Sequence, residues 1–237
     1  MSPSKMAQQY LIQGREVKLP VVVREALSGT AFYDVDAAAA ARLIPGTAYE
    51  IVESEPGRTQ CIIALIDYRD CDLDDYNEVS IAFSVRPVGS DASQDGTFIY
   101  SLPVTQRFTC EAGSTIWGYP KSVEEIDYEY ADDHLRGELR MNGELVLRMR
   151  LPRSQPEGEP MEIDLRTWSY LDGQPVETSF RNTTASAIQM GAEGVELELG
   201  SHRLAEDLRS LGLPRDPMMT VWTERMSARF EAPRPLR

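Results

Sequence analysis

Leu139-Arg-Met-Asn-Gly-Glu-Leu-Val-Leu-Arg-Met-Arg-Leu151 is the stretch that decides the fold. Leu139 and Met141 stand before Asn142-Gly143, and Leu145, Leu147, Met149 and Leu151 recur at every second position after it. Side chains of a strand leave alternate faces, so each run presents one apolar face. Both central residues of a two-residue hairpin turn take positive φ, which Asn-Gly tolerates best. The stretch therefore predicts a β-hairpin with one buried side.

The same periodicity extends outward along the chain. Cys61 to Ile66 is continuously apolar, the pattern of a strand buried on both faces. Val79, Ile81, Phe83 and Val85 alternate, as in a strand with one face inward. Val17 to Val23 is β-branched, interrupted by Lys18, Leu19 and Pro20, and Val195 to Leu199 alternates again. Two helices are predicted. Asp34 or Asp36 can cap Ala37 to Leu43 before Pro45 stops it, and His202 to Leu211 carries leucines at helical spacing before Gly212. Pro152 to Pro160 is a loop within one β-rich domain spanning residues 1–237, and Ala232 to Arg237 reads as a frayed tail. The fold class expected from the residues is mainly β, antiparallel, with a few short helices.

Composition excludes several functions. A formal net charge of -14 repels nucleic acid phosphates and anionic lipids, so neither partner is expected. No apolar run approaches the ~18 residues of a membrane span. Met1 to Gln13 is polar without an apolar core, so no signal peptide and a cytoplasmic location are expected. Cys61, Cys71 and Cys110 form no CxxC pair, which argues against a disulfide framework and fits a reducing compartment. Two distant histidines, His134 and His202, make a histidine metal site improbable. The loop Asp67 to Asp75 holds five aspartates without the order of an EF-hand, and reads as a solvated acidic loop.

The basic residues are unevenly chosen. Of 24, only Lys5, Lys18 and Lys121 are lysines. A lysine can become a nucleophilic amine at neutral pH, and an arginine cannot. Lys121 closes Gly113-Ser-Thr-Ile-Trp-Gly-Tyr-Pro-Lys121, where Trp117 and Tyr119 could hold its head in a poorly hydrated pocket. An aromatic turn with a solvated lysine fits the same residues.

At this point the sequence resembles the acetoacetate decarboxylase family. Its mark is a glycine followed by a spacer ending in an aromatic, Pro and a Schiff-base Lys, here Gly113 and Tyr119-Pro120-Lys121. A Tyr-x-Glu lies upstream, here Tyr76-Asn77-Glu78, preceded by Tyr33, Asp36 and Pro45. Downstream, Leu171-Asp-Gly-Gln-Pro175 matches an Asp-Gly-x-Pro turn, and His202 to Leu213 resembles a late helix. The resemblance implies a cone-shaped, closed antiparallel barrel around a buried pocket, a homo-oligomer and no cofactor. It implies an amine that condenses with the ketone of a β-keto acid, whose iminium accepts the electrons released as carbon dioxide leaves. Lys121 and Glu78 are thereby the catalytic candidates. Tyr119, Trp117, Ser122 and Arg24 are the substrate-binding candidates.

The departures are specific. Ser122 replaces a second lysine, Ser114-Thr115 replaces Arg-Glu, and Cys61 stands near the place of another glutamate. Arg24 matches the family's arginine only loosely in spacing. An ordinary lysine, of pKa about 10.4, is roughly 0.04% neutral at pH 7. Burial alone lowers a lysine by up to about three to five units. The acetoacetate decarboxylase lysine is itself the standing example of an amine activated by desolvation or a neighbouring cation. Schiff-base formation therefore survives the loss of the second lysine better than decarboxylation does. The alternatives are an aldolase or dehydratase using the same iminium, and a non-catalytic small-molecule binding protein on the same fold.

Overall fold

In chain order the elements are β1 (Gln9–Ile12), β2 (Arg15–Lys18), β3 (Val21–Asp36), α1 (Ala37–Leu43), β4 (Tyr49–Ile51), β5 (Arg58–Cys71), β6 (Tyr76–Pro87), β7 (Gly96–Val104), α2 (Arg107–Trp117), β8 (Lys121–Val123), β9 (Glu125–Tyr130), β10 (His134–Met141), β11 (Glu144–Pro152), β12 (Met161–Leu171), β13 (Gln174–Thr184), β14 (Ala187–Met190), β15 (Glu196–Leu199), α3 (Arg203–Ser210), β16 (Met219–Phe230) and β17 (Arg234–Pro235). The computed structural model describes residues 8–156 and 158–236. Lys5, most of the polar segment Met1 to Gln13, and Arg237 lie outside the described residues.

Seven strands close into a barrel in the order β16-β3-β5-β6-β7-β12-β13, with β13 pairing back onto β16. The pairings are antiparallel except β7 with β12, where Thr97 faces Thr167 and Phe98 faces Trp168 in parallel. The sheet is thus mostly antiparallel, as expected, with a second parallel pairing where β8 joins β7.

The hairpin Leu139 to Leu151 forms the centre of a second, four-stranded sheet, β15-β11-β10-β9. Asn142 and Gly143 take φ of 53° and 78°, as a two-residue turn of positive φ requires. A bulge beyond Leu139 lets Val146 as well as Leu147 be buried. This sheet packs with the barrel strands in one core, which includes Leu65, Ile81, Phe83, Leu139, Leu147 and Met149. The core explains the two-sided burial of β5. Cys61, Ile63 and Leu65 belong to it, while Ile62, Ala64 and Ile66 line a cavity. In β6 the apolar alternation Val79, Ile81, Phe83, Val85 also belongs to this core. Its polar alternates Glu78 and Ser80 look into the cavity and not into solvent.

Asp36 caps α1, its carboxylate accepting from Ala39 N at 2.6 Å. His202 caps α3, accepting from Leu204 N. The reading of two helices missed α2. The carboxyl tail is also corrected: Arg234 and Pro235 pair with Glu177 and Val176, and Leu236 N donates to Pro175 O. No helix among the described residues is long and apolar enough to cross a membrane.

Leu147 is fully buried between the sheets, whereas Ile188 on β14 is exposed. Leu147→Ala should lower unfolding free energy by about 2–5 kcal/mol. Ile188→Ala should change it by less than about 0.5 kcal/mol. Urea unfolding of the two variants checks this contrast.

Candidate functional site

Helix α2 and the turn after it carry the lysine. Gln106 caps the helix, its side-chain oxygen accepting from Thr109 N at 2.7 Å. Gly118 ends it at φ 67°, where its N–H donates to Ser114 O and the Tyr119 N–H donates to Gly113 O. A side chain at 118 would also collide with neighbouring backbone, since its Cβ would lie 2.2 Å from Tyr170 O. Pro120 then leads into β8, where Lys121 pairs alongside Leu102 of β7.

Gly113 supplies the space for the lysine stem. A Cβ there would lie 2.6 Å from Lys121 Cδ and 2.7 Å from Cε. The amine ends in an almost dry setting. Lys121 Nζ donates to Glu78 Oε2 at 2.8 Å and to Thr109 Oγ1 at 3.3 Å. It lies 4.9 Å from the centre of the Tyr76 ring. The two charged side chains are 4% and 6% exposed. Tyr68 OH donates to Glu78 Oε1 at 3.4 Å, and the Tyr68 and Tyr76 rings stack at 4.4 Å. Burial, then the charge of Glu78, holds both phenols well above their ordinary range. Burial pushes Tyr119 up to about 12. These phenols therefore remain neutral donors at physiological pH.

The barrel encloses a cavity of about 960 Å³. Its wall along β3, β5 and β6 is layered, because residues in register share a face. Ser28, Ile66 and Glu78 form one layer, and Thr30, Ala64 and Ser80 the next. Phe32 and Ile62 follow. Layers two residues apart are separated by about 7 Å.

The structure brings Lys121 and Glu78 together across 43 positions of sequence. Glu78 and Tyr119 are part of the cavity wall, and Tyr119 OH lies 2.7 Å from Thr167 Oγ1. Trp117 stacks on Tyr119 and donates to Glu231 O, so it backs the wall instead of lining it. Ser122 follows Lys121 on a strand, and consecutive strand side chains leave opposite faces, so it points away from the amine. Arg24 is corrected as a cavity residue. It is half exposed, bonds Asp70 and Asp72 at 2.7 Å each, and is not part of the cavity wall. The acidic loop is likewise clamped by arginines, Arg15 holding Asp74 as Arg24 holds its neighbours. Sequence reasoning missed Thr109 and Tyr68. Neither has a local signal, since Thr109 lies in the unread helix and Tyr68 matters only once β5 is beside β6.

The family model for acetoacetate decarboxylase matches residues 13–229. A search of curated proteins found no sequence match. Acetoacetate decarboxylase from Legionella pneumophila subsp. pneumophila str. Philadelphia 1 superposes with a TM-score of 0.64 at 18% identity, covering 92% of this chain and 87% of its own. The enduracididine biosynthesis enzyme MppR, complexed with the condensation product of pyruvate and imidazole 4-carboxaldehyde, gives 0.64 at 15% identity and 98% coverage of each chain. An acetoacetate decarboxylase-like enzyme from Sphingomonas wittichii RW1 gives 0.63 at 15% identity, covering 98% of this chain and 100% of that one. At these identities the superpositions establish a shared fold.

The Gly113 trough generates a test. Gly113→Ala gains helix propensity of up to about 1 kcal/mol, but its methyl occupies the path of the lysine stem. The variant should still fold, with lowered thermal stability because separating the buried pair outweighs the helix gain, and Lys121 should lose its bond to Glu78. A crystal structure of the variant in which that bond persists would contradict the steric argument.

Proposed function

We propose, since this chain belongs to the acetoacetate decarboxylase family, that Lys121 forms a Schiff base with a carbonyl compound held in the barrel. The single observation carrying this reading is the buried Lys121 amine hydrogen-bonded to a carboxylate of the cavity wall. An ammonium cannot attack a carbonyl. Proton transfer from Nζ to Glu78 leaves a neutral amine and a neutral acid, both suited to a dry site. The amine adds to the carbonyl carbon, water leaves, and a protonated imine results. Glu78 returns the proton to the departing oxygen, as general acid.

The iminium is an electron sink for a bond at the carbon one removed from it. In decarboxylation of a β-keto acid, the C–C pair flows into the C=N⁺ as carbon dioxide leaves. The resulting enamine takes a proton, and hydrolysis frees the ketone and the amine. In an aldol-type lyase the same pair comes from a bond to a second carbonyl fragment, or is used to form one. The second reading gains from one observation: Arg24, the arginine expected to meet a substrate carboxylate, is held on the surface by two aspartates.

The test keeps the folded state in view. Incubation with carbonyl compounds and borohydride, followed by peptide mapping, should place the label on Lys121. Lys121→Arg keeps a cation opposite Glu78 but has no nucleophilic amine, so labelling should vanish. Label found only at Lys5, Lys18 or the amino terminus would refute the assignment. Glu78→Gln should slow turnover by about 10²–10⁴-fold, the span of general acid–base catalysis, in enzyme that stays folded by circular dichroism. Undiminished turnover would return Glu78 to a structural role.

A further inference from the structure

We propose that the barrel selects an uncharged carbonyl compound with an apolar body, larger than a short oxo acid; this rests on the Lys121 Schiff base above, deepens its aldol-type reading and sets decarboxylation aside, since a β-keto acid carries a carboxylate. Three observations carry it. The first is the distribution of charge. Among the described residues, the arginines bordering the cavity are Arg166, Arg181 and Arg229. Arg166 is held by Glu177 at 3.2 Å, Arg181 by Asp164 at 2.6 Å, and Arg229 by Glu231 at 3.1 Å. Each stands one residue from an inward-facing side chain, Thr167, Phe180 or Phe230, so strand alternation turns it outward. Lys121 is already neutralised by Glu78. A carboxylate entering the barrel meets, among the described residues, only cations that already have an acid beside them, and burying it unpaired is strongly unfavourable.

The second observation is the wall itself. Ser28, Thr30 and Ser80 offer hydroxyls, and Ile62, Ala64 and Ile66 offer apolar surface. Hydroxyls bond a neutral oxygen without the desolvation that a charge requires. Phe180 and Phe230 lie parallel, with ring centres 4.9 Å apart and 9° between planes, and both border the cavity. Such a plate suits a ring or alkyl chain. The third observation is volume. At about 960 Å³ the cavity lies at the upper end of the ~300–1,000 Å³ that encloses drug-sized ligands. A three- or four-carbon acid would leave most of it unfilled.

Benzylacetone and its para-carboxy analogue share one methyl ketone and one skeleton, and differ in charge at neutral pH. Isothermal titration calorimetry measures their binding, and borohydride trapping with peptide mapping measures imine formation at Lys121. Benzylacetone should bind at least roughly tenfold more tightly, because only the acid must bury an unpaired charge. Thr30→Arg places a cation one layer from Glu78 and should bring the two ligands close to parity. Equal or tighter binding of the acid to the wild-type protein overturns the proposal, whatever the variant does. Binding of neither ligand overturns it as well. The two readings fail separately. Selective binding without trapping refutes the Schiff base and leaves the charge selection standing, whereas trapping of the acid in preference does the reverse.

Discussion

A buried ammonium and carboxylate 2.8 Å apart constrain everything around them. Neither ion could sit in so dry a place alone. Removing one partner of such a pair costs about 3–5 kcal/mol, because the other is left as an uncompensated charge. The pair must therefore be assembled from two unrelated parts of the chain, Glu78 near the start of β6 and Lys121 after α2. Closing the barrel supplies the first part. Its seven strands turn Glu78 inward and away from water. Helix α2 supplies the second, packing Phe108, Ala112, Ile116 and Trp117 into the core formed with β3, β7 and β16. Gly113 fits the pair: a Cβ there would force the lysine stem out of its present path.

The groups around the pair fix where a proton can move. Thr109 accepts from the amine, and Tyr68 donates to the carboxylate oxygen that the amine does not use. The phenols of Tyr68 and Tyr76 are held protonated by burial, and Tyr68 donates to Glu78 without competing for its proton. The Lys121–Glu78 bond is thus the one link in the cluster between two groups of opposite charge. The proposed attack on a carbonyl requires that link to open, and the stem lies over the bare face of Gly113.

Much of the fold was legible because its signals are local. The Asn142-Gly143 turn, the Asp36 cap and the alternation in β11 each depend on residues within a few positions. Helix α2 was not legible, since Thr109, Gly113, Ser114 and Thr115 are poor helix formers and packing overrides their preference. Glu78 and Ser80 illustrate the deeper difficulty. Polar alternates in a strand ordinarily mark the solvent face, and a closed barrel turns that face into the wall of a cavity. Whether such a residue meets water or a ligand depends on strand closure, which only long-range pairing decides. Lys121 was visible because an Arg-rich chain makes an interior lysine unusual, while Arg24 misled because proximity in sequence says nothing about which face it leaves.

The division of labour between the two basic residue types follows from their chemistry. Arginine presents a fixed fork that cannot release its proton, which suits it to holding carboxylates in place. Arg15 and Arg24 do this for Asp70 at the end of β5 and for Asp72 and Asp74 in the loop that joins β5 to β6. Exposed pairs of this kind contribute little stability singly, about 0–1 kcal/mol. Their effect is on geometry, because the clamped loop delivers the chain directly into Tyr76 and Glu78. Beyond the amino-terminal segment lysine occurs only at 121, the position for which loss of a proton is proposed. A chain with net charge -14 can repel anions globally and still bury an ammonium, because the barrel separates the surface field from a cavity in which the wall charges already stand beside partners.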